Sequence, residues 1–279
     1  MKFGLSFFQA VTGTCLFAFS LLATGLAYAQ TTEGDPYGSF QWPDLKREFL
    51  GSGTVVFDER VKVQGPAFAE DPLNVPITVS ADGLADVEVI TVIVDRNPIR
   101  KVLEYFPLDS LPRVSFRFKL EQASPVRVAV KTRDGVWHVG GVFIDSAGGG
   151  CTAAGATLRD ASWTKSLGDV SAKVFAQSVP AGGGATGSKL ITGTRLRLRV
   201  MHPMDTGLVG GIPAFYVNKL SLQEASGREL MRLNAFEPIS ENPVFSFDFP
   251  GAPKGQLQLV GTDNNGNRIL GLIDRGLIQ

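Results

Sequence analysis

The chain has 279 residues, of which 44% are hydrophobic and 19% are charged. Its 27 lysine and arginine residues balance 27 aspartate and glutamate residues, and this argues against nucleic acid as a ligand because neutralising phosphates needs a basic surplus. Beyond the N-terminal segment, no apolar run approaches the roughly 20 residues of a membrane-spanning helix. We therefore expect neither a nucleic acid partner nor a membrane span.

Residues 1–29 have the pattern of a secretory signal peptide. Lys2 supplies a basic start, residues 5–26 an apolar core, and Ala27–Ala29 a small-x-small cleavage site before Gln30. The sequence thus predicts export and cleavage after Ala29.

Cleavage leaves Cys151 as the one cysteine of the mature chain, because Cys15 lies in the removed segment. An unpaired cysteine in an exported protein indicates a reactive thiol or intermolecular pairing. Three glycines, Gly148, Gly149 and Gly150, precede it, and glycine-rich backbone is mobile and offers no side chains for packing. We therefore predict that Cys151 is exposed on a mobile arm.

The first predicted element is a short helix from Pro43 to Leu50, with proline in its first turn and Gly51 after its end. From Val55 onward the hydrophobic period falls to two, which is typical of β-strands. Turn signals such as Asn97-Pro98 and Asp134-Gly135 separate the strands. This spacing predicts an antiparallel, immunoglobulin-like β-sandwich over residues 40–150.

Residues 151–189 break that pattern and predict a helix followed by a linker. Helical spacing joins Trp163, Leu167, Val170 and Val174, and the glycine-rich run 182–188 predicts a flexible linker.

Alternating strands return over residues 190–279, where Leu196, Leu198 and Val200 alternate with arginines. The predicted fold class is therefore all-β, with two immunoglobulin-like β-sandwich domains joined by a short helix and a Gly-rich linker.

Several short strings resemble the two subunits of a known sulfur carrier. Asp71–Pro76, Val94–Pro98, Gly135–Val139 and the glycine-flanked Cys151 resemble SoxY. Four strings in the second half of the chain resemble its partner subunit, SoxZ: His202–Gly207, Ile212–Phe215, Glu241–Phe245 and Asp263–Gly266. Together they resemble the fused SoxYZ-like carriers associated with quinoprotein dehydrogenases.

This resemblance implies a periplasmic, non-enzymatic carrier that holds sulfur intermediates covalently on Cys151. Gly148, Gly149 and Gly150 would form the carrier arm. The implied partners are sulfur-oxidising enzymes and c-type cytochromes, or a quinoprotein dehydrogenase. The chain departs from the family in two ways: the family arm ends at a free C-terminus after Gly-Gly-Cys-Gly-Gly, whereas Thr152-Ala153-Ala154 and a second domain follow here.

The two histidines have ordinary structural explanations. For His138, strand packing or surface exposure is favoured, and the alternative is that Trp137 and His138 line the resting place of the arm. His202 precedes Pro203, which holds the backbone extended, so a turn-fixing role is favoured over a contact with a partner. Two such separated histidines do not make a zinc site, and we predict no metal and no cofactor.

Two functions remain open. The first is the covalent carrier, as in thiosulfate oxidation; the second is an accessory or interaction protein of an exported, pyrroloquinoline-quinone-dependent alcohol dehydrogenase. A stand-alone thiol enzyme is disfavoured because a nucleophilic cysteine needs a base within hydrogen-bond reach, and the nearest cation in sequence is Arg159. No strong self-activation of the thiol is therefore expected.

Overall fold

The computed structural model of the chain describes Met1 and residues 34–155, 161–180, 190–253 and 255–273. The predicted signal peptide and the predicted glycine linker 182–188 lie outside the described residues. Everything described from residue 34 onward belongs to one compact unit. None of the helices in this described part is long and apolar enough to cross a membrane.

The described elements are mostly strands, which confirms the predicted all-β fold class. One helical segment precedes them, α-helical over Trp42–Leu45 (α1) and π-helical over Lys46–Leu50, where the sequence predicts a helix. In the described part of the chain a short 3-10 turn covers Ala161–Lys165. The strands are β1 (Val55–Phe57), β2 (Lys62–Gln64), β3 (Phe68–Ala69), β4 (Val75–Ser80), β5 (Val87–Val94), β6 (Lys101–Phe106), β7 (Arg113–Phe118), β8 (Ser124–Thr132), β9 (Trp137–Ser146), β10 (Val170–Pro180), β11 (Leu190–Val200), β12 (Val217–Glu224), β13 (Glu229–Ala235), β14 (Val244–Phe249), β15 (Leu257–Asp263) and β16 (Arg268–Ile273).

The described strands form two sheets that pack face to face. The larger has the order β1-β9-β8-β5-β6-β13-β12-β15-β16, with β3 also paired to β9; the smaller has the order β10-β11-β14-β7-β4-β2. Alternation in β11 shows why the layers form, because Leu196, Leu198 and Val200 are buried while Arg197 and Arg199 are exposed. One side of each strand thus supplies the core between the sheets.

Both sheets run through the two halves of the chain. In the larger sheet β6 pairs with β13, placing Tyr105 opposite Leu233. In the smaller sheet β7 pairs with β14, placing Val114 opposite Phe247. One hydrophobic cluster includes buried residues from both halves. The two sandwiches therefore join edge to edge and share one continuous core.

The helix predicted through Val174 is wrong beyond the short 3-10 turn. Val170 and Val174 lie in strand β10, opposite Val200 and Leu196 of β11. A spacing of four residues fits one turn of a helix, but it is also a multiple of two and places both side chains on one face of a strand. Pairing along eleven residues of β11 decides between the two periods.

A buried ion cluster fixes the segment before α1. Arg127 in β8 is fully buried and bonds both Asp35 and Asp95, with N–O distances of 2.7 to 3.1 Å. Its guanidinium also lies 4.3 Å from the ring centre of Trp42. Because paired carboxylates satisfy the buried guanidinium, the segment from Asp35 to α1 is held on the outer face of the larger sheet.

Candidate functional site

The three glycines before Cys151 form a tight turn against the rest of the protein. Gly148 and Gly149 have φ angles of +97° and +86°, a conformation that side chains disfavour. At Gly150, a Cβ would lie 2.6 Å from both the backbone N and O of Leu120 and even closer to the carbonyl oxygen of Pro72. Glycine is therefore required here for close backbone packing.

Hydrogen bonds extend this docking along the turn. The N–H groups of Gly149 and Gly150 donate to the carbonyl oxygens of Glu121 and Leu120, at 3.0 and 3.2 Å. The carboxylate of Glu121 then accepts the N–H of Cys151 at 2.8 Å and the N–H and hydroxyl of Thr152 at 3.1 and 2.8 Å. Residues 119–121, which directly follow β7, thus form the floor on which the cysteine turn lies.

The second half of the chain covers the cysteine from the other side. Thr206 is buried, and its hydroxyl donates to the carbonyl oxygen of Cys151 at 2.7 Å. It belongs to His202–Gly207, which we call the clamp loop. In the same loop the carbonyl of Met204 accepts a hydrogen bond from the buried ammonium of Lys119. The cysteine turn is therefore held between the two halves of the protein.

In this position the thiol of Cys151 is closed off from solvent. Its exposed fraction is 0%, and its Sγ lies 3.6 Å from the carbonyl oxygen of Lys119, which accepts the S–H. Burial and, to a smaller extent, the Glu121 carboxylate raise the pKa of the thiol to about 12, and the Lys119 ammonium opposes both. The docked cysteine is a neutral thiol at neutral pH and is not a nucleophile.

The predicted exposure of Cys151 is thus wrong. Glycine-rich backbone was expected to be mobile, but the absence of side chains has the opposite effect at Gly150. It lets the backbone approach Pro72 and Leu120 closely enough to hydrogen-bond.

The sequence analysis missed Lys119 and Glu121. They lie 32 and 30 residues before Cys151, so no local pattern connects them to it. Burial lowers the pKa of Lys119, while the charges of Glu241, Cys151 and Asp205 oppose that shift. One feature pointed to Lys119. It directly follows the alternating strand β7 in a buried segment, and a buried lysine usually has a partner.

His202 fixes the clamp loop, as favoured from the sequence. Its Nδ1 accepts the N–H of Met204 at 3.1 Å, and Met204 has a φ of +53°. Burial lowers the pKa of His202 to about 4, although Asp263 opposes this. Its Nε2 lies 3.5 Å from Asp263 Oδ2, too far for a good hydrogen bond. His202 is therefore a neutral, buried residue that shapes the loop.

Trp137 and His138 lie at the other end of β9 from the cysteine turn. Nine residue steps along the strand lead from Trp137 to Ser146, which is about 30 Å at the rise of a β-strand. Trp137 packs with Trp42 and Leu45 of α1, and His138 Nδ1 lies 2.8 Å from Asp58 Oδ2. The alternative that these two residues line the resting place of the arm is wrong, and strand packing explains both.

The described residues contain no group of three histidine, cysteine, aspartate or glutamate side chains suited to a metal ion. The site consists of one buried thiol on a turn that both halves of an immunoglobulin-like double sandwich hold. The chain therefore belongs to the class of proteins with a docked cysteine turn between two β-sandwich halves.

Comparisons with known proteins identify these halves. Residues 46–151 match the family described as "Sulfur oxidation protein SoxY" and residues 189–269 match "Sulphur oxidation protein SoxZ". A solved structure of the sulfur carrier protein SoxY from Chlorobium limicola f. thiosulfatophilum is 20% identical, covering 38% of this chain and 90% of that chain with a TM-score of 0.35. A search of curated proteins gave no match.

The chain is a fused SoxYZ-like protein, with a SoxY domain and a SoxZ domain in one polypeptide. The SoxY match ends at Cys151, and the clamp loop lies within the SoxZ match. The contacts of Thr206 and Met204 around the cysteine turn are therefore contacts between the two domains.

Proposed function

We propose that this protein is an exported, non-enzymatic carrier that holds sulfur intermediates of an oxidation pathway on Cys151. The observation that carries the proposal is the position of Cys151, the one thiol left after the expected cleavage, on a glycine turn that the SoxY and SoxZ domains hold together. An incidental cysteine would not need contacts from two domains.

A carrier of this kind alternates between a docked and a released turn. The docked thiol has an exposed fraction of 0% and a pKa of about 12, so it must leave the site before it reacts. Release breaks the hydrogen bonds of the turn to residues 119–121 and to Thr206, and it leaves both sheets intact because all of these residues lie outside the strands. Docking protects the empty thiol from unwanted oxidation, because oxidation proceeds through the thiolate.

Loading with thiosulfate would form a sulfur–sulfur bond between Cys151 and the terminal sulfur of the anion. The thiol releases its proton, and two electrons pass to an oxidant, for which a partner c-type cytochrome is the candidate class. In the described part of the chain Cys151 forms no hydrogen bond with an imidazole, and its side-chain and thiol hydrogen-bond partners are Lys119, Glu121 and Thr206. The base and the electron acceptor therefore come from the partner.

Intact-mass measurement of the full chain, purified from the periplasm of its native host grown on thiosulfate, tests this function. We expect a mass increase that a thiol reductant removes and that Cys151→Ser abolishes, on a chain that begins at Gln30. An unmodified Cys151 under all conditions, together with stable co-purification of a quinoprotein dehydrogenase, would instead support the accessory role. A chain that begins at Met1 in processed periplasmic material would contradict export by cleavage.

A further inference from the structure

The outer face of the smaller sheet is strongly basic. Arginines alternate along β11, so Arg195, Arg197 and Arg199 share the face opposite the core. Lys173 of β10 and Arg117 of β7 lie on the same face. In a chain whose formal net charge is zero, this concentration of positive charge is local.

Part of this charge is neutralised within the sheet. Arg195 bonds Asp248 at 2.8 Å, and Arg113 bonds Asp82. In contrast, Arg117, Lys173, Arg197 and Arg199 are exposed and form no ion pair within the described part of the chain. These four residues line one open groove with a volume of about 670 Å³, which we call the basic groove.

The arrangement of charges in the basic groove lowers the stability of the sheet, and folding alone does not explain it. Lys173 lies directly opposite Arg197 in the β10–β11 pair, and like charges at directly opposed positions destabilise a sheet. Neutral residues would suit an exposed strand position equally well. An arrangement that lowers stability and has no ion-pair partner in the described part of the chain indicates a partner outside the fold.

The groove is next to the cysteine turn. Glu241 and Asn242 also line the groove, and the Glu241 carboxylate lies against Gly155, four residues after Cys151. The charge of Glu241 also acts on Lys119, which contacts the cysteine. A molecule bound in the groove therefore lies beside the segment that carries the thiol.

We infer that the basic groove is a docking surface for an acidic face of a partner protein that serves the cysteine turn. Its cations span four neighbouring strands, β10, β11, β14 and β7, which is about 14 Å at the usual strand spacing. A spread of this width matches a row of carboxylates on a protein surface better than one small oxyanion. Such charge complementarity accelerates encounter and selects partners. This inference deepens the proposed carrier function, but it is tested without any sulfur cargo.

The test measures binding of a fluorescent 15-residue polyglutamate peptide to the full chain by anisotropy at low ionic strength. The triple variant Lys173→Gln, Arg197→Gln, Arg199→Gln should bind at least tenfold more weakly. Binding to the wild-type protein should also weaken with added salt, because exposed charges are screened. The variant should keep the wild-type melting temperature or exceed it, since the opposed like charges are gone.

A matched control removes the same charge from other faces of the protein. The triple variant Arg47→Gln, Arg100→Gln, Arg133→Gln changes three surface arginines outside the smaller sheet. It should bind the peptide as the wild-type protein does. Equal weakening in both variants would show a general charge effect and overturn the docking surface.

Three further probes separate other classes of ligand. Sulfate, duplex DNA and vesicles of phosphatidylglycerol are each titrated against the wild-type protein and the groove variant. Groove-dependent binding that is tighter for any of these than for the peptide would overturn the assignment to an acidic protein. If the groove variant binds the peptide as tightly as the wild-type protein while a reversible adduct still forms on Cys151, the carrier function stands and only the docking surface is wrong.

Discussion

Replacing Gly150 with alanine should release the cysteine turn. The added Cβ would lie 2.6 Å from two backbone atoms of Leu120 and closer still to the carbonyl oxygen of Pro72. None of these is a flexible side chain that could move aside. We therefore expect Gly150→Ala to shift the turn towards the released state while the two sheets stay folded.

The expected size of the effect follows from the acidity of the thiol. A thiol with a pKa of about 12 holds roughly a thousandth of the thiolate, at pH 7, of a thiol at the ordinary value of 9.0. Labelling of Cys151 by a thiol reagent at pH 7 should therefore become faster in Gly150→Ala by up to about a thousandfold. The upper limit is the rate of the denatured chain.

The assay follows release of the chromophore from a disulfide reagent, with cooperative unfolding monitored in parallel. Gly210→Ala is the matched control, because a Cβ at Gly210 meets nothing within 4 Å and its φ is not positive. It should label as slowly as the wild-type protein. Wild-type labelling at the rate of the denatured chain, or no acceleration in Gly150→Ala, would refute the docked conformation.

The stability of the docked cysteine turn should depend on pH. Because the docked pKa of Cys151 lies above its ordinary value of 9.0, docking is fully stabilised below pH 9 and loses stability as the pH rises towards 12. The maximum loss is about 4 kcal/mol, at about 1.36 kcal/mol for each tenfold change in proton affinity. Protection of backbone amides in the cysteine turn should therefore decline selectively above pH 9.

Three further outcomes are expected. Thr206→Val keeps the shape of a buried side chain but leaves the carbonyl of Cys151 without its donor, so thiol labelling should accelerate roughly fivefold, for a loss of about 1 kcal/mol; an unchanged rate would show that the clamp loop does not hold the turn. Arg127→Met leaves Asp35 and Asp95 buried without their cation and should lower the free energy of unfolding in urea by about 3–5 kcal/mol; a loss below about 1 kcal/mol would contradict this. Cutting the chain between β10 and β11 should leave both fragments co-eluting on a sizing column, since strand pairs β6–β13 and β7–β14 join them; two separately eluting folded fragments would contradict the shared sheets.

Most strands could be predicted because their burial alternates. The runs 114–118 and 196–200 each show a period of two in the sequence, and both lie in strands with one buried face. Strand β10 was missed because Val170 and Val174 fit both periods, and only its partner β11 distinguishes them. The sharing of both sheets between the halves is a property of strand edges, which no local pattern encodes.

The sequence predicted which cysteine forms the candidate site, but it did not predict that this cysteine is buried. Cys151 stands out by elimination, since it is the one cysteine that would remain after the predicted cleavage. Its burial depends on Lys119, Glu121 and Thr206, which lie 30 to 55 residues away along the chain. The clamp loop containing Thr206 was visible as a motif, yet its contact with the cysteine follows only from the packing of the two domains.

The continuity of the two sheets restricts how this protein can move. A rotation of the SoxZ domain against the SoxY domain would have to break the β6–β13 and β7–β14 ladders in both layers at once. The domain junction is therefore a rigid joint and not a hinge. Under the proposed carrier function, a partner enzyme meets a frame of fixed geometry, and Cys151 reaches it by movement of the cysteine turn and not by rotation of the domains.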